Sequence, residues 1–546
     1  MPKGNVTMSA LSFAWDDRTP VFSDLTCALG LGRTGLVAPN GVGKTTLLRL
    51  AAGELAPTAG TVSVEGELGY LPQKLALDGG QTIAQVLGIA RVVAAIAAIE
   101  HGDATQENFA IVGDDWDVEQ RALAILDELG LGGVGIGRRL GTISGGEATS
   151  LALAAQLLRR PDVLLLDEPT NNLDATARRR LHAVVDAWSG CLVAASHDRE
   201  LLDRMDQIAE LGESDLALFG GNFSAYTEAV EQERVAAERA VQSSKQNLRR
   251  QQREAQEARE RAARRAGNAR RGISSAGIPK IHANHLAKKS QESAGRAGGV
   301  HAQRVNAART RLDEASARLP DDDSIVIDMP ETNVPAGRTV LDCEQVTLRY
   351  GDAVQVFAGD GISFTVRGPE RIGLLGRNGV GKTTLLRLIE GTLQPASGVI
   401  RRADQRIAYL SQRLDLLDPE KSVLANLQSF APEMDETRLR HRLAQFLFKG
   451  DSICRPVQVL SGGELLRATF ACLLSARPAP QLLLLDEPTN NLDLTSIHQL
   501  ESALNRYQGA FIVCSHDAVF LHAIGAERWL ALADGTLREV DGPLDT

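Results

Sequence analysis

Short apolar runs that end in acidic or small polar residues recur along this chain. Four apolar residues followed by an acidic pair occur from Val163 to Glu168 and again from Leu482 to Glu487. An unbroken apolar run of that length predicts a strand buried on both faces of a parallel sheet, delivering its carboxylates to the sheet's C-terminal edge. The run Arg371 to Leu375 predicts another strand, followed by a glycine-rich turn and a helix from Thr384 to Ile389. Two further short strands, CLVAAS and AFIVCS, lie downstream of the acidic pairs. Between Gln81 and Leu131 the pattern changes: Val118, Leu123, Ile125, Leu126 and Leu129 recur at helical spacing. From Glu228 a long charged segment without Gly or Pro until Gly267 predicts one long helix. Gly272, Gly277, Pro279, Gly295, Gly298 and Gly299 then predict a loop, and a second helix follows from Gln303 to Leu319.

The same elements come twice. APNGVGKTTLLRL (38–50) returns as GRNGVGKTTLLRL (376–388), SGGE (144–147) as SGGE (461–464), and LLLDEPTNNLD (164–174) as LLLDEPTNNLD (484–494). The offset is 339 from Gln73 to Gln412 but 317 from Ser144 to Ser461, so 339 − 317 = 22 residues are extra in the first copy. They fall in the helical stretch 81–131. Duplication by itself predicts three segments: a first domain over 1–227, a basic helical linker over 228–320, and a second domain over 321–546.

Composition is that of a folded protein, with 43% apolar and 23% charged residues in 546. The longest apolar run of the first half, Val92 to Ile99, is far shorter than the ~20 residues a membrane-spanning helix needs. The N-terminal MPKGNVTMSA leads into a strand-like pattern without the features of a secretory signal, so a cytoplasmic location is expected. Cys27, Cys191, Cys343, Cys454, Cys472 and Cys514 form no CxxC pair and are expected to be reduced core thiols.

The chemistry follows from residues in context. Gly376-x4-Gly381-Lys382-Thr383 lies between a strand and a helix, the setting of a phosphate-binding P-loop. Its glycines let backbone N–H groups converge on a phosphate, and the helix N-terminus adds partial positive charge. The candidate phosphate-binding residues are Asn40, Gly41, Gly43, Lys44, Thr45 and Thr46 in the first copy. In the second they are Gly376, Asn378, Gly379, Gly381, Lys382, Thr383 and Thr384. Ala38 stands where the second copy has Gly376, which predicts a less favourable loop at the first site. Thr45, Asp167 and Gln73, and likewise Thr383, Asp486 and Gln412, are candidate Mg2+ ligands, directly or through water. Glu168 and Glu487 are placed as general bases for an attacking water. His197 and His516, each in SHD, are candidates for contact with a γ-phosphate, where a ring N–H would stabilise transition-state charge. A lone histidine is ordinarily structural, but equal spacing in both copies favours the functional role. Trp15 and Tyr350 stand about thirty residues before their lysines and suit either adenine stacking or the core.

P-loop, glutamine, SGGE, LLLDEPTNNLD and SHD in that order resemble the ATP-binding cassette superfamily over most of residues 5–225 and 340–540. The resemblance implies an α/β fold of two tandem P-loop ATP-binding cassette domains joined by an α-helical hairpin, with ATP and Mg2+ as cofactors. It also implies that Ser144, Gly145 and Gly146, and Ser461, Gly462 and Gly463, are signature loops facing the γ-phosphate held by the opposite cassette. Each of two ATP sites is then shared by both halves. Glu147 and Glu464 replace the more usual glutamine of that loop, a change expected to be tolerated.

Two cassettes on one chain with a charged helical linker resemble the ABC-F family. By that likeness the partner is the ribosome, with the interdomain hairpin set against rRNA and peptidyl-tRNA, in a chain that acts as a monomer by pairing its own cassettes. Charge agrees with this expectation: from Glu228 to Pro320 there are 20 Lys/Arg and 10 Asp/Glu, a net of +10 in a chain whose total is −10. Between Ala262 and Arg311 only Glu292 opposes eleven basic residues, Arg264, Arg265, Arg270, Arg271, Lys280, Lys288, Lys289, Arg296, Arg304, Arg309 and Arg311. A translation factor and a ribosome-protecting antibiotic-resistance protein both fit, and the long glycine-rich tip leans towards protection. The competing classes are an ATPase subunit energising a separate membrane transporter and a DNA-repair ATPase. The first gives the basic hairpin no use, and the second normally carries zinc modules or very long coiled coils.

Overall fold

The computed structural model describes residues 4–16, 19–75, 78–171, 173–212, 215–275, 302–316, 325, 329–350, 354–403, 406–490 and 492–542. The chain divides into two compact units, Met1–Phe223 with Asp323–Thr546, and Ser224–Asp322.

The first unit contains the duplicated halves. In the first half a six-stranded sheet runs in the order Leu68–Leu71, Val163–Asp167, Cys191–Ala195, Gly32–Val37, Gln207–Leu211, Leu216–Gly220. All neighbouring pairs are parallel except the last, which is antiparallel. The second half repeats this order with Ile407–Leu410, Leu482–Asp486, Ala510–Cys514, Arg371–Leu375, Arg528–Ala533 and Thr536–Val540. Every residue of Val163–Asp167 and Leu482–Asp486 is buried, which is why these runs lack the alternation of a half-exposed strand. A three-stranded antiparallel sheet accompanies each, centred on Asn5–Ala14 in one half and Thr339–Tyr350 in the other. In the first half, Met8, Leu11 and Leu25 of the smaller sheet share a core with Leu165 and Val193 of the larger one and Leu47 of the P-loop helix Lys44–Ala51.

Between Gln81 and Leu131 lie four helices, Ile83–Val86, Ala90–Glu100, Gln106–Val112 and Val118–Glu128. The second half has two in the corresponding place, Val423–Phe430 and Glu436–Gln445, so the pair Ala90–Glu100 and Gln106–Val112 accounts for the extra length. The buried face of the fourth helix is Val118, Ala122 and Leu126, continued by Leu129, whereas Leu123 is exposed. Leu123 does not belong to the apolar stripe expected of it, because Ala122 occupies the i+4 position above Val118.

The second unit carries the helix Phe223–Ser275, 53 residues and therefore about 80 Å long. It starts before residue 228 and passes through both Gly267 and Gly272, where a loop was expected. A single glycine costs a helix only about 1 kcal/mol, and the alanine and arginine around these two favour continuation. A return helix spans 302–316, while Gly277, Pro279 and the glycines to 299 lie outside the described residues, as do 317–324. Along the stem, arginines are held by acids one turn away: Arg234 by Glu231 and Glu238, Arg250 by Glu254, Arg261 by Glu257.

All six cysteines are free; Cys191, Cys343, Cys472 and Cys514 are buried, but Cys454 is exposed and so is not the core thiol expected. No helix among the described residues is long and apolar enough to cross a membrane. Leu484 is fully buried in the centre of its strand. Leu484→Ala is therefore expected to destabilise the second cassette by about 2–5 kcal/mol, measured by chemical denaturation of the variant against the parent.

Candidate functional site

Because the strands Gly32–Val37, Val163–Asp167 and Cys191–Ala195 are parallel, the residues that follow them meet at one edge. A lysine, a carboxylate pair and a histidine converge there. Gly43, at φ 117°, turns the loop into its helix, and Gly381, at φ 107°, does the same in the second copy. Lys44 is buried, and its Nζ donates to the Ala38 carbonyl at 2.8 Å and lies 2.8 Å from His197 Nε2. In the second copy Lys382 Nζ donates to the Gly376 carbonyl at 2.6 Å and lies 3.1 Å from His516 Nε2. Gly376 has φ 146°, and a Cβ there would come within 2.5 Å of the Leu532 carbonyl. Ala38 takes no such positive φ, so the first loop enters differently while keeping the lysine bond.

The carboxylates are set by the backbone. Glu168 and Glu487 adopt φ 48° and 47°, and their N–H groups donate to the carbonyls of Ala195 at 2.8 Å and Cys514 at 2.9 Å. Their Oε1 atoms lie 3.4 Å from His197 Nε2 and 3.3 Å from His516 Nε2. Burial raises the pKa of both carboxyls, against the pull of the neighbouring lysines, and brings Glu487 to about 7. Burial, assisted by the same lysines, lowers His197 and His516 to about 3, so both rings are neutral. Each Nε2 sits between a donor, the lysine, and acceptors; those of His197 are Glu168 and Asn40 Oδ1, the latter at 3.3 Å. A change of tautomer turns that nitrogen from acceptor to donor.

Thr45 donates to Asp167 Oδ1 at 3.2 Å, and Asp167 Oδ2 is buried without a hydrogen-bond partner. An uncompensated anionic oxygen beside a hydroxyl is the donor set that a hard cation such as Mg2+ takes. In the second copy the Tyr409 hydroxyl donates to Asp486 Oδ2 at 3.0 Å. An anion already rests on the first loop: the Asn40 N–H donates to Asp493 Oδ2 at 2.8 Å, across the two halves. Against burial, which raises it, hydrogen bonds from Asn40 and Ser496 hold the Asp493 carboxyl below its usual range.

Two cavities open at these edges. One of ≈ 350 Å³ is lined by Asn40, Gly41, Gly43, Lys44, Thr45, Thr46, Gln73, Asp167, Glu168, Asn171 and His197. The other, ≈ 310 Å³, is lined by Asn378, Gly379, Gly381, Lys382, Thr383, Thr384, Gln412, Asp486, Glu487 and His516, with Leu173 and Arg178 contributed by the first half. Sequence reasoning missed these last two, together with Asp493 and Tyr409. Leu173 and Asp493 belong to the repeated PTNNLD, and Tyr409 to the recurrent YL-x-Q, so the repeats were the signal for these three, whereas Arg178, with Ile497 in the equivalent place, had none.

The signature residues are not brought to either cavity. Ser144, Gly145 and Gly146 open the helix Gly145–Leu158, and Ser461, Gly462 and Gly463 open Gly462–Ser475. Each serine is occupied in a capping box: Ser144 Oγ accepts from the Glu147 N–H at 3.3 Å and donates to Glu147 Oε2 at 2.8 Å, and Ser461 does the same with Glu464. Trp15 is exposed and packs edge-on against Phe13 rather than lining a cavity. Tyr350 ends the strand Thr339–Tyr350, and its side chain lies outside the described residues.

A family model described as ABC transporter matches residues 24–171 and 360–490. The tylosin resistance ATP-binding protein TlrC of Streptomyces fradiae is 32% identical over 554 residues, covering 94% of this chain and 95% of that protein. ATP-binding cassette sub-family F member 3 of Mus musculus is 30% identical over 536 residues, covering 94% of this chain and 69% of that protein. Among solved structures, RNase-L Inhibitor has the same fold, with a TM-score of 0.57 at 18% identity over 95% of this chain and 87% of that one.

Two outcomes follow from the buried lysines and imidazoles. Replacing Lys44 and Lys382 together by alanine is expected to weaken nucleotide binding by at least about tenfold in a fluorescent-ATP titration. Unchanged affinity would place the nucleotide elsewhere. A folded-state pKa near 3 against the ordinary 6.5 means the unfolded chain takes up the extra proton. The neutral rings thus contribute stability that is present above pH 6.5 and lost as pH falls towards 3. Imidazole nitrogen shifts of His197 and His516 in the nucleotide-free protein should accordingly stay at neutral values from about pH 8 to about pH 5.

Proposed function

The chain belongs to the ATP-binding cassette proteins, in their ABC-F branch, and from that membership we propose that it is an ATPase whose two MgATP-bound cassettes close and bind the ribosome through the basic linker. Lys44 and Lys382 hold the terminal phosphates. Glu168 and Glu487, kept among apolar neighbours, take a proton from the attacking water, and the neutral imidazoles turn Nε2–H towards the leaving charge once nucleotide draws the lysines away. Mg2+, held by Thr45 and Asp167 and by Thr383 and Asp486, neutralises phosphate charge when bound. Gln73 and Gln412 orient its water or the nucleophile. Closure brings Ser144 and Ser461 to the opposite nucleotide, completing two shared sites, and hydrolysis releases the closed form.

The observation that carries the ribosomal reading is the distribution of charge on the linker. Arg234, Arg250 and Arg261 pair with glutamates at helical spacing, which is the behaviour of an ordinary solvated helix. From Arg261 to Ser275 the helix carries arginines and no acid, and Arg264 is exposed. One-sided positive charge beyond a neutralised stem suits a phosphate backbone rather than solvent alone. Of the roles this allows, we favour protection of the ribosome against an antibiotic. The full-length likeness to a tylosin resistance protein supports it.

The test is sedimentation of lysate through sucrose with ATP, using the variant Glu168→Gln/Glu487→Gln, which retains ATP without hydrolysing it. Co-sedimentation with ribosomes that requires ATP is the expected result. With ~5 phosphate contacts, binding should fall with salt at a log–log slope of about −3.5 to −4.5. Recovery with membranes, and absence from ribosomal fractions at low salt, would instead indicate a transporter subunit.

A further inference from the structure

The two ATP sites are not built alike, and the difference is one arginine. The helices Ala175–Asp186 and Leu494–Arg506 are equivalent in the two cassettes, each capped by an aspartate, Asp174 or Asp493. Four residues past the cap the first cassette has Arg178 and the second has Ile497. Arg178 Nη1 lies 3.1 Å from Asp198 Oδ2 of its own cassette and donates to the main-chain carbonyl of His516, in the other cassette, at 3.4 Å. Its side chain lines the second cavity beside Lys382, Glu487 and His516. It also borders a smaller cavity lined by Glu168, His197, Asp198 and Ile497, but there Asp198 holds it and its guanidinium forms no hydrogen bond or ion pair with Glu168 or His197.

We propose that Arg178 is a positioning residue for the second ATP site, supplied in trans by the first cassette, and that the first site has no counterpart because Ile497 stands there. By gripping the carbonyl of His516 the guanidinium fixes the backbone that aims the imidazole, and it adds a positive charge where phosphate charge builds up. Its charge pulls down the pKa of Glu487 and of His516. The corresponding aspartate of the second cassette, Asp517, is half-buried, and desolvation raises its pKa. The second site is then the faster hydrolytic site and the first the slower.

This inference rests on the two-site ATPase reading, and single-site backgrounds separate the two. Glu168→Gln leaves the second site to hydrolyse, Glu487→Gln leaves the first, and the double variant should hydrolyse nothing. If the double variant hydrolyses like the parent, the two-site reading falls and the assignment with it. In the Glu168→Gln background, Arg178→Gln is expected to lower kcat about tenfold while KM for ATP changes less than about twofold, the loss of one charge-assisted contact. Arg178→Lys, which preserves the pair with Asp198 and so the local fold, should recover part of that kcat. In the Glu487→Gln background both substitutions should change kcat by no more than about twofold. Equal losses in the two backgrounds, or a loss that Lys does not relieve, would make Arg178 a structural residue only. Full second-site kcat in Arg178→Gln would overturn the proposal outright.

Discussion

A buried ammonium at the carboxyl edge of the buried central strands of a sheet sets the terms for everything around it. Removing a charge from water is costly unless it is hydrogen-bonded and paired. Lys44 meets that demand with the carbonyl of Ala38, the ring of His197 and the nearby carboxylates of Glu168, Asp493 and Asp167. The partners arrive from four separate segments, with Asp167 and Glu168 sharing one, so the sheet order is what makes the pairing possible. The imidazole, sharing the space with a cation, remains neutral. Glu168 stands in the same apolar setting, and burial raises its pKa.

The cassettes touch through oppositely equipped surfaces rather than through copies of one surface. From the first come Arg178 and Arg199; from the second come the His516 carbonyl and Glu501, which Arg199 Nη1 reaches at 2.8 Å. In the other direction Asp493 grips the first P-loop at 2.8 Å, while Asp174 approaches Arg377 of the second only to 3.8 Å. The halves are alike in their P-loops, acidic pairs and histidines. Divergence was free to act on the residues between them, where each position faces a single partner.

Features fixed by local pattern were readable in the chain. A short apolar run closed by an acidic pair reads as a buried strand, and the glycines of the P-loop have few other uses, whereas the longer run Val92 to Ile99 lies in the helix Ala90–Glu100. The linker's length was less readable, because Gly267 and Gly272 look like breaks until the helix formers around them are weighed together. Leu123 looked like core because any apolar residue at roughly helical spacing does, whereas Ala122, a smaller side chain, carries the contact. Arg178 was invisible because its meaning lies in the partner cassette, and nothing along the sequence says which helix will face His516.

Glu147 and Glu464 stand third in their helices and close a capping box with the serine before each. A carboxylate accepts from the serine hydroxyl and from the serine N–H at once, so Ser144 and Ser461 are both engaged in this structure. For either hydroxyl to take another acceptor, a cap of about 1 kcal/mol would have to open. Each helix start is thus locked by its own side chains, and the lock is the same in both halves.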